Sequence, residues 1–228
     1  LVALTPPSLL VVILVRLLRP VILIRFGPLV SFRIGHFSSN TETYLSERDS
    51  GLHGKRTLDV FYDRKPVCNQ QLRRMWGRII PIYPFVELPD RLNRNIPGGK
   101  AHEIPFRTYQ GRDVNGVLGK TKTHLLFTED EEARGRAGLA ELGLEGDAEF
   151  ICMLGRDPLY LNITDSTRDW HYHDFRDIDI QSYLPAAEEL TRRGYHVVRM
   201  GSLVKEEFKS SNPMIVDYAS REPSDFMD

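Results

Sequence analysis

The sequence predicts an α/β fold, with a Rossmann-like domain over residues 1–127 and the incomplete first half of a second Rossmann-like domain over residues 128–228. Three observations carry that expectation. The run Val21-Ile22-Leu23-Ile24 is continuously apolar and rich in β-branched residues, bounded by Pro20 and by Gly27-Pro28, which reads as a strand buried on both faces of a parallel sheet. A glycine-containing segment, Arg33-Ile34-Gly35-His36-Phe37, and then a helix start follow it, the order of a Rossmann-like unit. In the second half, the apolar runs Ala148 to Leu154 and His196 to Met200 flank a helical repeat of Tyr183, Leu184, Ala187 and Leu190.

The elements follow in chain order. Residues 1–19 form an apolar and basic helix, in which Leu9 to Val15 is unbroken and is followed by Arg16, Arg19 and Arg25. With Pro6 and Pro7 ahead of it, the run falls short of the roughly 20 apolar residues a spanning helix needs. Two readings stay open: a helix packed on the domain, or an amphipathic helix in peripheral contact with a membrane surface. Basic residues after an apolar segment place the rest of the chain on the cytoplasmic side. Ser39 and Glu42 make a capping box that opens a helix to about Arg48. Thr57 to Tyr62 reads as a second strand alternating Leu58, Val60 and Tyr62 with smaller or polar residues, and Gln70 to Arg78 as a short helix. Pro89 to Lys122 has no sustained period and is expected as loops. Thr128 and Glu131 form another capping box, opening a helix from Glu129 to about Leu142 that ends at Gly143. Pro185 is tolerated only in a first turn, so the next helix starts near Gln181, and Met214-Ile215-Val216 is a candidate third strand. The chain opens at Leu1 rather than Met and stops at Asp228 in what reads as a helix start, the marks of a fragment that is expected to be inactive alone. Val197, Val198, Ile215 and Val216 are then expected to face missing neighbours as an exposed apolar patch.

Composition narrows the function classes. A chain of 228 residues with 41% hydrophobic and 27% charged residues is neither disordered nor collagen-like. Thirty Lys+Arg against 31 Asp+Glu leave a net charge of −1, so no global positive excess exists to hold a nucleic-acid backbone. Arg outnumbers Lys by 23 to 7, which favours planar bidentate contacts to phosphate or carboxylate. Cys68 and Cys152 supply neither a disulfide framework nor a zinc cluster, and a reducing compartment fits them.

The densest polar stretch follows the strand ending at Leu154: Gly155-Arg156-Asp157, Tyr160, then His171 to Asp177. Ligands of open α/β sheets bind outside the carboxyl ends of strands, where Arg156 and Asp157 fall. An Arg fork there suits a diphosphate, with the neighbouring carboxylate fixing it; the alternative is an Arg-Asp pair that only shapes the loop. On the first domain, Gly35 lets backbone approach a ligand and His36 is a candidate general base, or a residue that hydrogen-bonds its loop. Glu42 is a second candidate base, explained also by its capping box. Arg33 could meet an anionic group, or pair with Glu42 or Glu47. His171, His173 and Asp174 look like a metal cluster without a remote partner, so no metal site is expected. Asp177-Ile178-Asp179 precedes a helix, where Asp is an ordinary N-cap.

Four stretches, Ile24-Arg25-Phe26-Gly27-Pro28, Arg33 to Glu47, Phe150 to Leu161 with its Arg-Asp pair, and His173-Asp174-Phe175-Arg176-Asp177 through Arg199-Met200-Gly201, resemble a family of bacterial glycosyltransferases. Members of that family look like the two-Rossmann-domain (GT-B) enzymes. The strand followed by Arg-Asp is similar to the His-x-Arg motif of the fucosyltransferase group, with Leu154 in the place of the His. The resemblance implies a metal-independent, cofactor-free glycosyltransferase of surface polysaccharide biosynthesis. It would use a nucleotide-sugar donor and a glycan or glycolipid acceptor, in the cytoplasm or at the inner face of the membrane. Arg156 would then be the diphosphate ligand and, with His36, catalytic. Asp157, Tyr160, His173 and Arg176 would complete the donor side, and Arg33, Gly35, His36 and Glu42 the acceptor side. The rival classes are a non-catalytic nucleotide- or sugar-binding module and a metal hydrolase using His171, His173 and Asp174.

Overall fold

Two short parallel sheets organise the chain, one within residues 1–126 and one within residues 127–228. The structure is a computed structural model and describes residues 5–54, 56–105, 112–164, 166 and 169–228.

In the first unit, strands β1 (Leu23–Leu29) and β2 (Thr57–Asp63) pair in parallel, Leu23 opposite Thr57 and Leu29 opposite Asp63. Single parallel bridges extend the sheet on both sides, Ile82 beside Phe61 of β2 and Glu103 beside Phe26 of β1. The spatial order is therefore third, second, first, fourth, which is compatible with a Rossmann-like fold. Helices α2 (Ile34–Asp49) and α3 (Gln70–Gly77) cover one face, where Leu29 and Phe61 meet Phe37, Tyr44, Leu45 and Trp76. Helices α1 (Thr5–Leu18) and α4 (Glu87–Arg94) flank the other, where Phe26 and Tyr62 meet Val15 and Val86. Successive strand residues alternate between these two covers, so both sets are buried.

Several expectations are corrected here. β1 does not stop before Gly27-Pro28 but runs through both. Phe26 turns its carbonyl away from β2, accepting from the Ile104 N–H at 2.9 Å, and Pro28 two residues on faces the same way. Its missing N–H therefore costs the β1–β2 ladder nothing. Gly27 packs closely on Ile104: a Cβ there would lie 3.0 Å from that of Ile104, which would have to give way. In β2 the inward residues toward α2 are Asp59 and Phe61, and Leu58 is exposed. α2 opens at Ile34 rather than at a Ser39-Glu42 capping box, because its apolar stripe already begins with the fully buried Phe37. Residues 89–122 are not all loop: α4 occupies the start, held by Glu87–Arg91 and Asp90–Arg94 pairs four residues apart. Its buried positions are Pro89, Asp90 and Asn93, so no apolar period announces it.

The second unit opens with α5 (Glu129–Glu141), whose capping box is complete: the Glu131 N–H donates to Thr128 Oγ1 and the Thr128 N–H to Glu131 Oε2. Strands β3 (Phe150–Leu154), β4 (His196–Met200) and β5 (Ile215–Asp217) lie side by side in that order, all parallel. A short helix, α6 (Leu159–Thr164), follows β3. A 3-10 turn at Ile180–Tyr183 leads into α7 (Leu184–Arg192), with Pro185 in its first turn and Gly194 at φ +93° after it. The expected exposed patch on β4 and β5 is absent. Val197 and Ile215 pack with Ile180, Ala187 and Phe208, while Val198 and Val216 pack with Leu144 and Tyr218, so all four are buried. Apolar exposure falls on the outer strand β3 instead, at Phe150 and Leu154. No helix of the described residues is long and apolar enough to cross a membrane.

Candidate functional site

The carboxyl edge of the second sheet gathers the charged groups. Gly155 follows β3, and a Cβ there would lie 3.1 Å from the tip of the Ile180 side chain, a tight contact that Ile180 would have to yield to. Arg156 follows, and its Nη1 donates to Asp177 Oδ1 in a pair that is about four-fifths buried on both sides. The Ile178 N–H donates back to the Arg156 carbonyl at 3.2 Å, so the 177–178 segment is fastened to the end of β3 twice. Asp157 is an organiser of backbone: its two oxygens accept from the Leu159 N–H at 2.8 Å, at the start of α6, and from the Lys205 N–H at 2.7 Å. At the end of β4, the buried Arg199 donates to the Glu206 carbonyl at 2.6 Å and to Asp217 at 3.3 Å, and Asp217 accepts the Phe208 N–H. Arg156, Asp157, Asp177, Asp179, Arg199 and Lys205 line one hollow of about 430 Å³. Arg199, Asp217 and Lys205 were not singled out from the sequence. The signal for Arg199 was there, since a cation in an otherwise apolar strand must carry a partner.

Tyr160 lies in α6, and Arg176 is exposed on the 3-10 turn His171–Arg176; neither lines the hollow. The side chain of His173 lies outside the described residues. His171 and Asp174 pair at 2.8 Å on the exposed surface, where the hydrogen bond that the imidazole donates to the Asp174 carboxylate raises its pKa above the ordinary value. Among the described residues, no three His, Cys, Asp or Glu side chains converge as a metal site would require. Asp179 accepts the Gln181 N–H as the N-cap of the following turn, as expected of it.

On the first sheet, the order reverses between β1 and the single bridge at Glu103, the kind of switch point at whose carboxyl side α/β folds bind ligands. The loop leaving β1 there carries Arg33 and runs into Gly35 and His36 in the first turn of α2. Ser31 knits this loop to the one after β2, accepting the Cys68 N–H at 2.8 Å and donating to the Arg64 carbonyl. Arg33 is the N-cap without a side-chain cap bond, His36 is half-buried, and nothing lies within 4 Å of the Cβ position at Gly35. Glu42 stands apart from them, about 9 Å further along the helix axis than His36. Instead of capping a helix start, its Oε1 accepts from the His124 N–H at 3.2 Å and meets His124 Nδ1 at 3.0 Å. His124 Nε2 is 3.0 Å from Asp49 on the next turns of α2, so Glu42 serves to tether residue 124. Glu47 pairs with His53 and accepts from Asn115.

Compared with known proteins, the chain matches no family model, no curated protein and no solved structure. Fold and site define it as an α/β protein of short parallel sheets, with a charged hollow at the carboxyl edge of the second sheet and a glycine-histidine helix start at the carboxyl edge of the first.

Proposed function

We propose that the chain contributes to a GT-B-type glycosyltransferase, its first unit receiving the acceptor and its second the nucleotide-sugar donor. The observation that carries this reading is the placement of Arg156, held by Asp177 at the carboxyl end of β3 in a hollow that also presents Arg199 and Lys205. Two parallel-sheet units in tandem, and the sequence stretches that resemble the glycosyltransferase family, support it. In this reading the Arg156 fork binds the donor diphosphate and stabilises the negative charge that develops as the bond from the anomeric carbon to the diphosphate oxygen breaks. The acceptor hydroxyl oxygen forms the new bond to that carbon, and its proton passes to His36.

Two variants test the roles. Arg156→Ala should lower turnover about 100-fold or more while leaving the far-ultraviolet circular dichroism unchanged. His36→Gln should slow transfer without weakening donor binding. Donor binding with neither transfer nor hydrolysis would instead mark a nucleotide- or sugar-binding module. Unchanged turnover in Arg156→Ala would overturn the assignment of that residue.

A further inference from the structure

From Leu9 to Leu18 helix α1 is apolar except for Arg16, yet the first unit covers only one side of it. Val12 and Val15 are buried, at 1% and 7% exposure. On the opposite side Leu10, Ile13, Leu14 and Leu17 are 58%, 47%, 50% and 71% exposed, and Val21 just beyond the helix is 71% exposed. Positions 10, 13, 14 and 17 recur at helical spacing, so they form one stripe along a helix about 21 Å long. The only charged residue within α1, Arg16, turns inward. Its guanidinium donates to Asn93 Oδ1 at 2.9 Å and to the carbonyls of Ile96 and Pro97 at 3.1 and 2.8 Å. An apolar stripe of this length left exposed on the first unit is a surface for a partner to cover.

Charge decides what that cover is. No Asp or Glu precedes Glu42, while Arg16, Arg19, Arg25 and Arg33 all do. Arg25 is neutralised by Asp59, but the oxygens that hold Arg16 are neutral and leave its charge uncompensated by them. Arg19 is exposed directly after the helix. Arg56 is exposed too, and its carbonyl accepts the N–H of Leu23, four residues after Arg19, at the start of β1. An apolar stripe ending in cations matches a bilayer surface, with hydrocarbon below and anionic headgroups at its rim. A second copy of the chain fits less well. A helix about 21 Å long and about 10 Å wide offers a footprint of a few hundred Å², against the roughly 800 Å² per partner of a stable protein interface.

We infer that α1 lies in the plane of an anionic phospholipid surface, its Leu10, Ile13, Leu14 and Leu17 stripe in the acyl boundary and Arg19 and Arg56 on the headgroups. This membrane contact does not depend on the glycosyltransferase reading. Co-sedimentation of the full chain with vesicles of phosphatidylglycerol and, separately, of phosphatidylcholine tests it. Binding should favour phosphatidylglycerol and weaken with salt. Leu14→Glu with Leu17→Glu should lower binding to either lipid about tenfold or more, since both side chains leave water in the bound state. Arg19→Glu with Arg56→Glu should lower binding to phosphatidylglycerol alone. All four residues are exposed, so the variants retain the fold, which near-ultraviolet circular dichroism checks, and Leu10→Gln with Ile13→Gln repeats the test at other positions. Absence of wild-type binding to phosphatidylglycerol, or equal binding by the leucine variants, overturns the inference. So does a dimer that the leucine substitutions split and that binds no vesicle, since a second copy would then be the cover.

Discussion

Arg156 and Asp177 stand 21 residues apart in sequence and form an ion pair at the carboxyl end of β3. The pair orients the guanidinium, and it also means that an anionic ligand must compete with the Asp177 carboxylate for it. The two effects separate in Asp177→Asn, which keeps an oxygen acceptor and removes the charge. Nucleoside diphosphate affinity should then rise several-fold, whereas Arg156→Ala should weaken it about 10- to 100-fold, the worth of one charge-assisted contact. Isothermal calorimetry reads both. If neither substitution moves the affinity, the pair only shapes the loop.

A second pair lies in the core of the first unit. Arg25 and Asp59 are opposite one another in the β1–β2 register and form a two-pronged bridge, Nε to Oδ1 and Nη2 to Oδ2, both 2.6 Å. Tyr44 of α2 donates to the same carboxylate, and burial together with Asp59 pushes its phenol far above the ordinary range. Asp59→Asn leaves a buried guanidinium without its counter-charge and should cost about 3–5 kcal/mol. Tyr44→Phe leaves the ion pair in place and should cost only about 1–2 kcal/mol. Urea unfolding midpoints decide between this hierarchy and its reverse.

How far these features could be read in the sequence depended on whether their cause was local. The strands showed themselves as short apolar runs, and Thr128-Glu131 announced α5 because its capping box is a contact within four residues. The same pattern at Ser39-Glu42 misled, since Trp76 of α3 donates to the Phe37 carbonyl and helps bury the first turn of α2 ahead of it. α4 was missed because it buries polar side chains whose partners, Tyr62 for Asp90 and Arg16 for Asn93, are remote. The candidate site divides likewise. The positions of Arg156, Asp157, Gly35 and His36 after strands were legible, but the groups that hold Arg156 and Glu42 come from 21 and 82 residues away. No spacing rule in one sequence supplies them.

Acid should loosen the first unit through His53. Its imidazole lies tilted against Tyr44 at 5.0 Å between centroids and meets Glu47 at 3.0 Å. Burial nevertheless holds its pKa below the ordinary 6.5, outweighing the upward pull of Glu47. A folded-state value below the unfolded one means that the unfolded chain takes up the proton first. The contribution is therefore complete above the unfolded pKa near 6.5 and is lost as pH falls from there through the lower folded value. Thermal unfolding midpoints taken from about pH 8 down to about pH 5 should decline below 6.5 in the wild type, with a shallower decline in His53→Gln. Parallel curves would show that His53 does not carry the effect.

Gly99 secures the seat of α1. A Cβ at that position would lie 2.0 Å from the carbonyl oxygen of Asn93 and 3.3 Å from the Arg16 guanidinium. The Asn93 side chain donates to the Gly99 carbonyl at 3.0 Å while accepting from Arg16, so one buried amide joins the loop, α4 and α1. Gly99→Ala must push backbone rather than a flexible side-chain tip, and should destabilise the first unit by about 1–3 kcal/mol. Arg16→Met removes the donor that links α1 to this amide but adds no clash. The two substitutions share Asn93 and so should be non-additive, the double variant costing less than the two single costs together. Chemical denaturation of the three variants against the wild type measures this directly. Strict additivity would mean that Gly99 and Arg16 act on separate parts of the unit and that α1 is seated by Val12 and Val15 alone.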